Sequence, residues 1–231
     1  MSLEGVIKFQ QEFRKKEPLD FNILVELDFC RNLLYNIRLI GQDKNKYSGA
    51  GYGNVSMRLN YENIKNKRKF VITGTQTGHF DRLNENHYAT VLEYYPEKNF
   101  IVCEGPIMAS SESMTHGTIY DLDDTARFVF HVHSPEIWKY SRELEIPETK
   151  ESVEYGTPEL AEEVKKLFEK DYLNNIKIFS IKGHEDGVVS FGKTSKEAVD
   201  IIIDYLIRSR KFVKSDNIFY ANENFKSNIL Y

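Results

Sequence analysis

Two histidines stand one residue apart in an apolar run, Phe128-Val129-Phe130-His131-Val132-His133. Side chains of a β-strand alternate faces, so both imidazoles point the same way and can reach one cation. Two imidazoles side by side in apolar surroundings are costly without a shared ligand. A divalent ion supplies that ligand, and imidazole suits zinc and its neighbours. The same spacing also serves two half-buried histidines on a sheet. His184, in Gly183-His184-Glu185-Asp186-Gly187, is a third candidate just past a predicted strand, or else a solvated turn residue. Three histidines would leave the fourth, catalytic position of a tetrahedral ion open. His79 and His87 lie in polar, loop-like surroundings and read as surface residues.

Ser110-Ser111-Glu112 forms a second constellation, with His116 one helical turn later. A helix N-terminus offers free N–H groups and a positive dipole end. The serine hydroxyls there either cap the helix or hold a phosphate, and Glu112 either favours the first turn or faces the metal as a general base. Gly53-Asn54 and Thr77-Gly78 are further loop sites able to offer donors to an anion, although both pairs are also ordinary turn residues.

These residues need elements to position them. Phe21 to Ile40 reads as an amphipathic helix, with Ile23, Leu24, Leu27, Cys30, Leu34 and Ile37 at three- and four-residue steps and Gly41 as its C-cap. After a glycine-rich stretch, Gly49 to Asn54, strands are predicted over Val55–Leu59, Lys69–Thr73, Tyr88–Glu93 and Asn99–Cys103. A helix is expected after Ser110-Ser111, with either serine as N-cap, and then a strand over Phe128–His133 closed by Ser134-Pro135. Pro158–Glu169 reads as a helix with Thr157 as N-cap. Ile176–Ile181 and Val188–Phe191 read as strands, and Lys196–Lys211 as a long helix capped by Thr194 or Ser195. Several strands are joined too briefly for helical crossovers, so a mixed or antiparallel sheet flanked by helices is expected.

The chain has 231 residues, 41% hydrophobic and 29% charged, with a net charge of -4. That supplies a core and argues against disorder and against a basic nucleic-acid surface. The 2 cysteines, Cys30 and Cys103, exclude a disulfide framework and a thiolate zinc site. The N-terminus has no apolar core of a signal peptide, and no apolar run reaches the ~20 residues of a membrane span. A soluble cytoplasmic protein is expected, with no nucleic-acid or membrane partner. Residues 1–231 are read as one domain with a short N-terminal extension and a C-terminal tail after about residue 212.

Taken in order, the pieces resemble the class II aldolase/adducin family, which includes fuculose-phosphate aldolase and ribulose-phosphate 4-epimerase. They are Gly53-Asn54-Val55-Ser56, Ile72-Thr73 through Thr77-Gly78, Ser110-Ser111-Glu112 with His116 and Ile119-Tyr120, His131-Val132-His133-Ser134-Pro135, Gly183-His184, and Gly187 to Gly192. The resemblance covers roughly Leu24 to Lys211. It implies a three-layer α/β/α fold with a mostly antiparallel central sheet, usually in a homotetramer. It implies that His131, His133 and His184 bind Zn2+ or a similar divalent ion, and that Glu112 is the acid/base carboxylate. Asn54, Thr77, Gly78, Ser110 and Ser111 match the donors that hold a substrate phosphate.

The implied activity is a metal-dependent, aldolase-type lyase on a small phosphorylated ketose, cleaving or forming a C–C bond through a metal-stabilised enediolate. A 4-epimerase or dehydratase on the same site is the alternative, and a non-catalytic adducin-like interaction module is the third reading. The chain departs from the family pattern in three places. The Thr73 to Gly78 loop lacks the usual proline and is longer by two residues. Glu185-Asp186 separate His184 from its glycine, and both acids read as solvated turn residues. No tyrosine is assigned as proton donor to the departing aldehyde: Tyr155 is nearest in the chain, and Tyr220 and Tyr231 lie in the tail.

Overall fold

The computed structural model describes residues 5–59, 68–169 and 172–227. In chain order the elements are β1 (Gln10–Lys15), α1 (Phe21–Asn36), β2 (Gly41–Gln42), β3 (Gly51–Tyr52), β4 (Asn54–Arg58), β5 (Phe70–Thr73), β6 (Tyr88–Tyr95) and β7 (Phe100–Gly105). There follow α2 (Ser113–Leu122), β8 (Phe128–His133), α3 (Pro135–Lys139), α4 (Pro158–Phe168), α5 (Tyr172–Ile176), β9 (Ile178–Ser180), β10 (Gly187–Gly192) and α6 (Ser195–Ser227). Eight strands form one sheet in the order β1-β7-β6-β5-β4-β8-β10-β9, while β2 and β3 form a separate ribbon. Within that sheet β1 runs parallel to β7 and the other pairs are antiparallel.

Strand alternation divides the core in two. On one face, Met114, Ile119, Leu160, Val164 and Leu173 from α2, α4 and α5 pack on Ile72, Val91, Val129 and Val189. On the other, Leu24, Leu27, Ile137, Ala198 and Ile202 from α1, α3 and α6 pack on Val55, Val71, Phe128, Phe130 and Val132. This is the expected three-layer α/β/α fold with a mostly antiparallel central sheet. Because Phe130 and Val132 go to the α1 side, His131 and His133 fall on the α2 side.

The expected strand Phe128–His133 and the helix begun by Thr157-Pro158 form as read, with Thr157 accepting from the Leu160 N–H. Several boundaries differ for physical reasons. Helix α1 ends at Asn36 rather than running on to Gly41: Arg38 takes the left-handed position (φ 62). The N–H of Leu39 then bonds Leu34 O and that of Arg38 bonds Tyr35 O, a Schellman closure made without glycine. Ile23 and Ile37, expected on its apolar face, are 46% and 39% exposed. Helix α2 begins at Ser113, with Glu112 rather than a serine at the N-cap position. A short helix, α5, takes up the start of the segment predicted as strand from Ile176, leaving β9 only Ile178–Ser180. Strand β1, which the sequence pattern did not mark, adds the edge beside β7. Helix α6 continues beyond the predicted Lys211 end to Ser227.

Candidate functional site: a buried histidine cluster

Strand register builds the site. Asn54 of β4 lies opposite His131 of β8, and Gly187 of β10 lies opposite His133. The turn between β9 and β10 closes through Ile181 N–H to Gly187 O, so His184 hangs over the end of β8. Gly183 lets this turn pass close to the segment before α4, since a Cβ there would sit 1.9 Å from Val153 O. Gly53 plays the same part before Asn54: its φ is 77, and a Cβ would press within 2.7 Å of Ile40.

His131, His133 and His184 come together. Their ligand atoms all lie within 4.8 Å of one another. The rings are 5.1, 4.9 and 4.8 Å apart, centroid to centroid, and each residue is at most 4% exposed. The Asn54 side-chain amide stands 3.3 Å from His131 Nδ1 and orients that ring, while His131 Nε2 is buried with no hydrogen-bond partner among the described residues. Burial, and then the neighbouring imidazoles, hold the His131 pKa well below the usual histidine range. Neutral imidazoles buried side by side fit a divalent cation.

Glu112 joins this cluster. Its carboxylate, 1% exposed, lies 3.4 Å from His184 Nδ1. The loop before α2 is tied to the candidate phosphate loop by the Gly74–Ala109 bridge and by Thr75 N–H to Met108 O. Ser110 and Ser111 are buried on that loop, and Ser110 Oγ accepts from the Glu112 N–H at 3.4 Å. Thr77 is also buried, and its hydroxyl donates to Gly74 O. Gly78 packs on the ribbon, where a Cβ would meet Gly41 O at 2.7 Å. Thus one carboxylate, Asn54 and three imidazoles meet directly. The other four residues lie on two joined loops.

Sequence reading missed several neighbours. Tyr47 presses its ring edge on His133 at 4.6 Å, and Tyr52 lies 5.2 Å from it. Tyr47 Oη donates to Asp186 at 2.5 Å, and Lys46 reaches the same carboxylate at 3.4 Å. Asp186 is therefore not the solvated turn residue expected: it is 6% exposed, while Glu185 remains in solvent. Burial and this hydrogen bond push the Tyr47 pKa up. The glycine-rich stretch was visible, but the left-handed run at Tyr47, Ser48 and Gly49 that turns this ring inward was not.

Tyr155 stacks flat on His184 at 4.4 Å, and its hydroxyl accepts from the Val6 N–H. Tyr220 falls within α6, and Tyr231 lies outside the described residues. His116, one turn after Glu112, is buried, with Nδ1 2.7 Å from Ser56 Oγ, and burial lowers its pKa to about 3. His79 and His87 flank Phe80, away from the cluster.

A family model for the class II aldolase and adducin N-terminal domain matches residues 37–206. The chain belongs to the class II aldolase and adducin family. The matched stretch contains every candidate ligand, Glu112 and all five candidate phosphate donors. Class II aldolases depend on a divalent metal, and among the described residues the buried histidine triad is a place that fits one.

Solved structures of similar fold include L-fuculose-1-phosphate aldolase from Thermus thermophilus, 20% identical with TM-score 0.57, over 87% of this chain and 97% of that one. Another L-fuculose 1-phosphate aldolase is 18% identical with TM-score 0.63, over 87% and 89%. A sugar-phosphate aldolase from Thermotoga maritima is 15% identical with TM-score 0.60, over 85% and 96%. At these identities the likeness establishes the fold. A search of curated protein sequences returned no match. Among the described residues no helix is long and apolar enough to cross a membrane.

Proposed function

We propose that this chain is a metal-dependent lyase of the aldolase type, making or breaking a C–C bond in a small phosphorylated ketose. The observation that carries the reading is the pairing of three buried imidazoles, within 4.8 Å of one another, with a buried carboxylate 3.4 Å from one of them. His131, His133 and His184 would hold the ion, with Zn2+ the proposed occupant because imidazole suits it. A bound divalent ion supplies the Lewis acid that draws electrons toward the ketose carbonyl. Glu112 takes and returns the proton, its carboxylate excluded from water by burial. Asn54 keeps the His131 ring in place. Thr77, Gly78, Ser110 and Ser111, with Asn54, are proposed to hold the phosphate and so fix the scissile bond against Glu112. A homotetramer and a cytoplasmic location belong to the same proposal and rest on the family resemblance.

The test is a screen of ketose 1- and 5-phosphates with zinc, manganese or cobalt, scoring aldehyde release separately from epimer formation. Aldehyde release that needs the metal is the expected result. Epimer without aldehyde would put a 4-epimerase in its place, and loss of water from the sugar a dehydratase. No turnover by protein with a full complement of metal would favour the adducin-like module.

A further inference from the structure

None of the five candidate phosphate donors carries a charge, whereas a sugar phosphate brings a charge of about −1.5 to −2. A compensating charge lies under the loop. Arg31 of α1 is 1% exposed. Its Nη2 donates to the backbone carbonyls of Phe80, of Thr77 at 3.3 Å and of Gly78 at 3.4 Å. Its Nη1 donates to Asp81 O at 3.1 Å and to Asn32 Oδ1 at 3.4 Å. Among the described residues no carboxylate accepts from this guanidinium. Asp28 and Asp81 act on it through space without a hydrogen bond, and Asp28 is held by Tyr88 Oη and Asn32, each at 2.8 Å. The Asp81 carboxylate accepts from the Arg82 N–H.

The geometry of the peptide unit gives this placement a direction. In a trans peptide the N–H points opposite to the C=O of the same unit. Turning the carbonyls of Thr77 and Gly78 onto Arg31 therefore turns the N–H groups of Gly78 and His79 away from it. The guanidinium polarises these units further, so their outward ends are more positive than those of an ordinary turn. A guanidinium desolvated among carbonyls retains a net charge, which an anion across the same peptide units would balance.

We propose that Arg31 is a positioning residue of the phosphate subsite: it holds the 77–81 turn from beneath and supplies, across two peptide units, the positive charge the donors lack. This rests on the phosphate reading of the preceding subsection. The probe is inorganic phosphate, titrated calorimetrically into the metal-loaded protein and into its Arg31→Gln and Arg31→Lys variants.

The expected result is a Kd for phosphate about tenfold or more weaker in Arg31→Gln, in line with one unit charge across a partly buried gap. Arg31→Lys, which keeps the charge but loses the planar fork, should recover part of that loss, and metal content should be equal in all three. Equal phosphate affinity in wild type and Arg31→Gln would overturn the role of Arg31 and leave the phosphate reading standing. A wild-type protein that does not bind phosphate would overturn both. Should the variants not fold, amide hydrogen exchange of the wild type decides: phosphate is expected to slow Gly78 and His79. Phosphate binding that leaves both amides unchanged would overturn the proposal.

Discussion

The Glu112 carboxylate lies 3.4 Å from His184 Nδ1, and the two residues are 1% and 4% exposed. One stands at the head of α2 and the other in the turn between β9 and β10, so residues far apart in the chain meet at one buried point. This contact couples the proposed base to the proposed metal ligands, and it makes their roles separable by mutation.

Removing ligands should remove metal. His131→Ala with His133→Ala is expected to reduce a content of about one divalent ion per chain to background, read by elemental analysis after dialysis. Added zinc should raise the Tm of the wild type and not that of the double variant, because a ligand stabilises only the fold that binds it. Equal metal in the two proteins would sink the assignment.

Removing the base should spare the metal. Glu112→Gln keeps the shape and one acceptor, so the ion should stay while kcat falls by roughly 10²–10⁴, the usual share of a positioned acid/base group. The check is turnover and metal content on one preparation, and full activity would take Glu112 out of the mechanism.

Asn54 should act through His131. Their separation of 3.3 Å makes the amide an orienting partner for the ring. Asn54→Ala is expected to weaken zinc by about 10- to 100-fold in a chelator competition, as loss of a ligand's supporting hydrogen bond does. An unchanged zinc affinity would leave Asn54 to phosphate binding alone.

Acid should destabilise the metal-free protein partly through His116. Burial lowers its pKa from 6.5 to about 3, so between those values the unfolded chain binds a proton that the folded chain refuses. Its contribution is therefore present above pH 6.5 and lost as pH falls toward 3, with a slope of up to about 1.4 kcal/mol per pH unit. His116→Asn, which can still meet Ser56, should flatten that part of the profile. Urea unfolding from about pH 7 to about pH 4 measures it, and parallel profiles would show that His116 does not contribute.

Much of the scaffold was legible because it depends on local periodicity. Alternation in Phe128–His133 put both histidines on one face before any partner was known. The Thr157-Pro158 start of α4 depends on a hydroxyl and a ring that act within one turn. Helix ends were less legible. The end of α1 uses Arg38 at a position that glycine usually marks, because the closing hydrogen bonds depend on backbone dihedrals and not on side-chain identity.

By itself, then, the sequence determined the strand that carries two ligands, the ordered set of motifs and the residue types able to do the chemistry. Only the tertiary structure decided which of them meet. Register placed Asn54 against His131, and the β9–β10 turn brought His184 over β8. Packing buried Asp186 under Tyr47 and set Arg31 beneath Thr77 and Gly78. These relations join residues far apart in the chain, and their energy comes from shared burial and hydrogen bonding. No short-range pattern in the sequence encodes them.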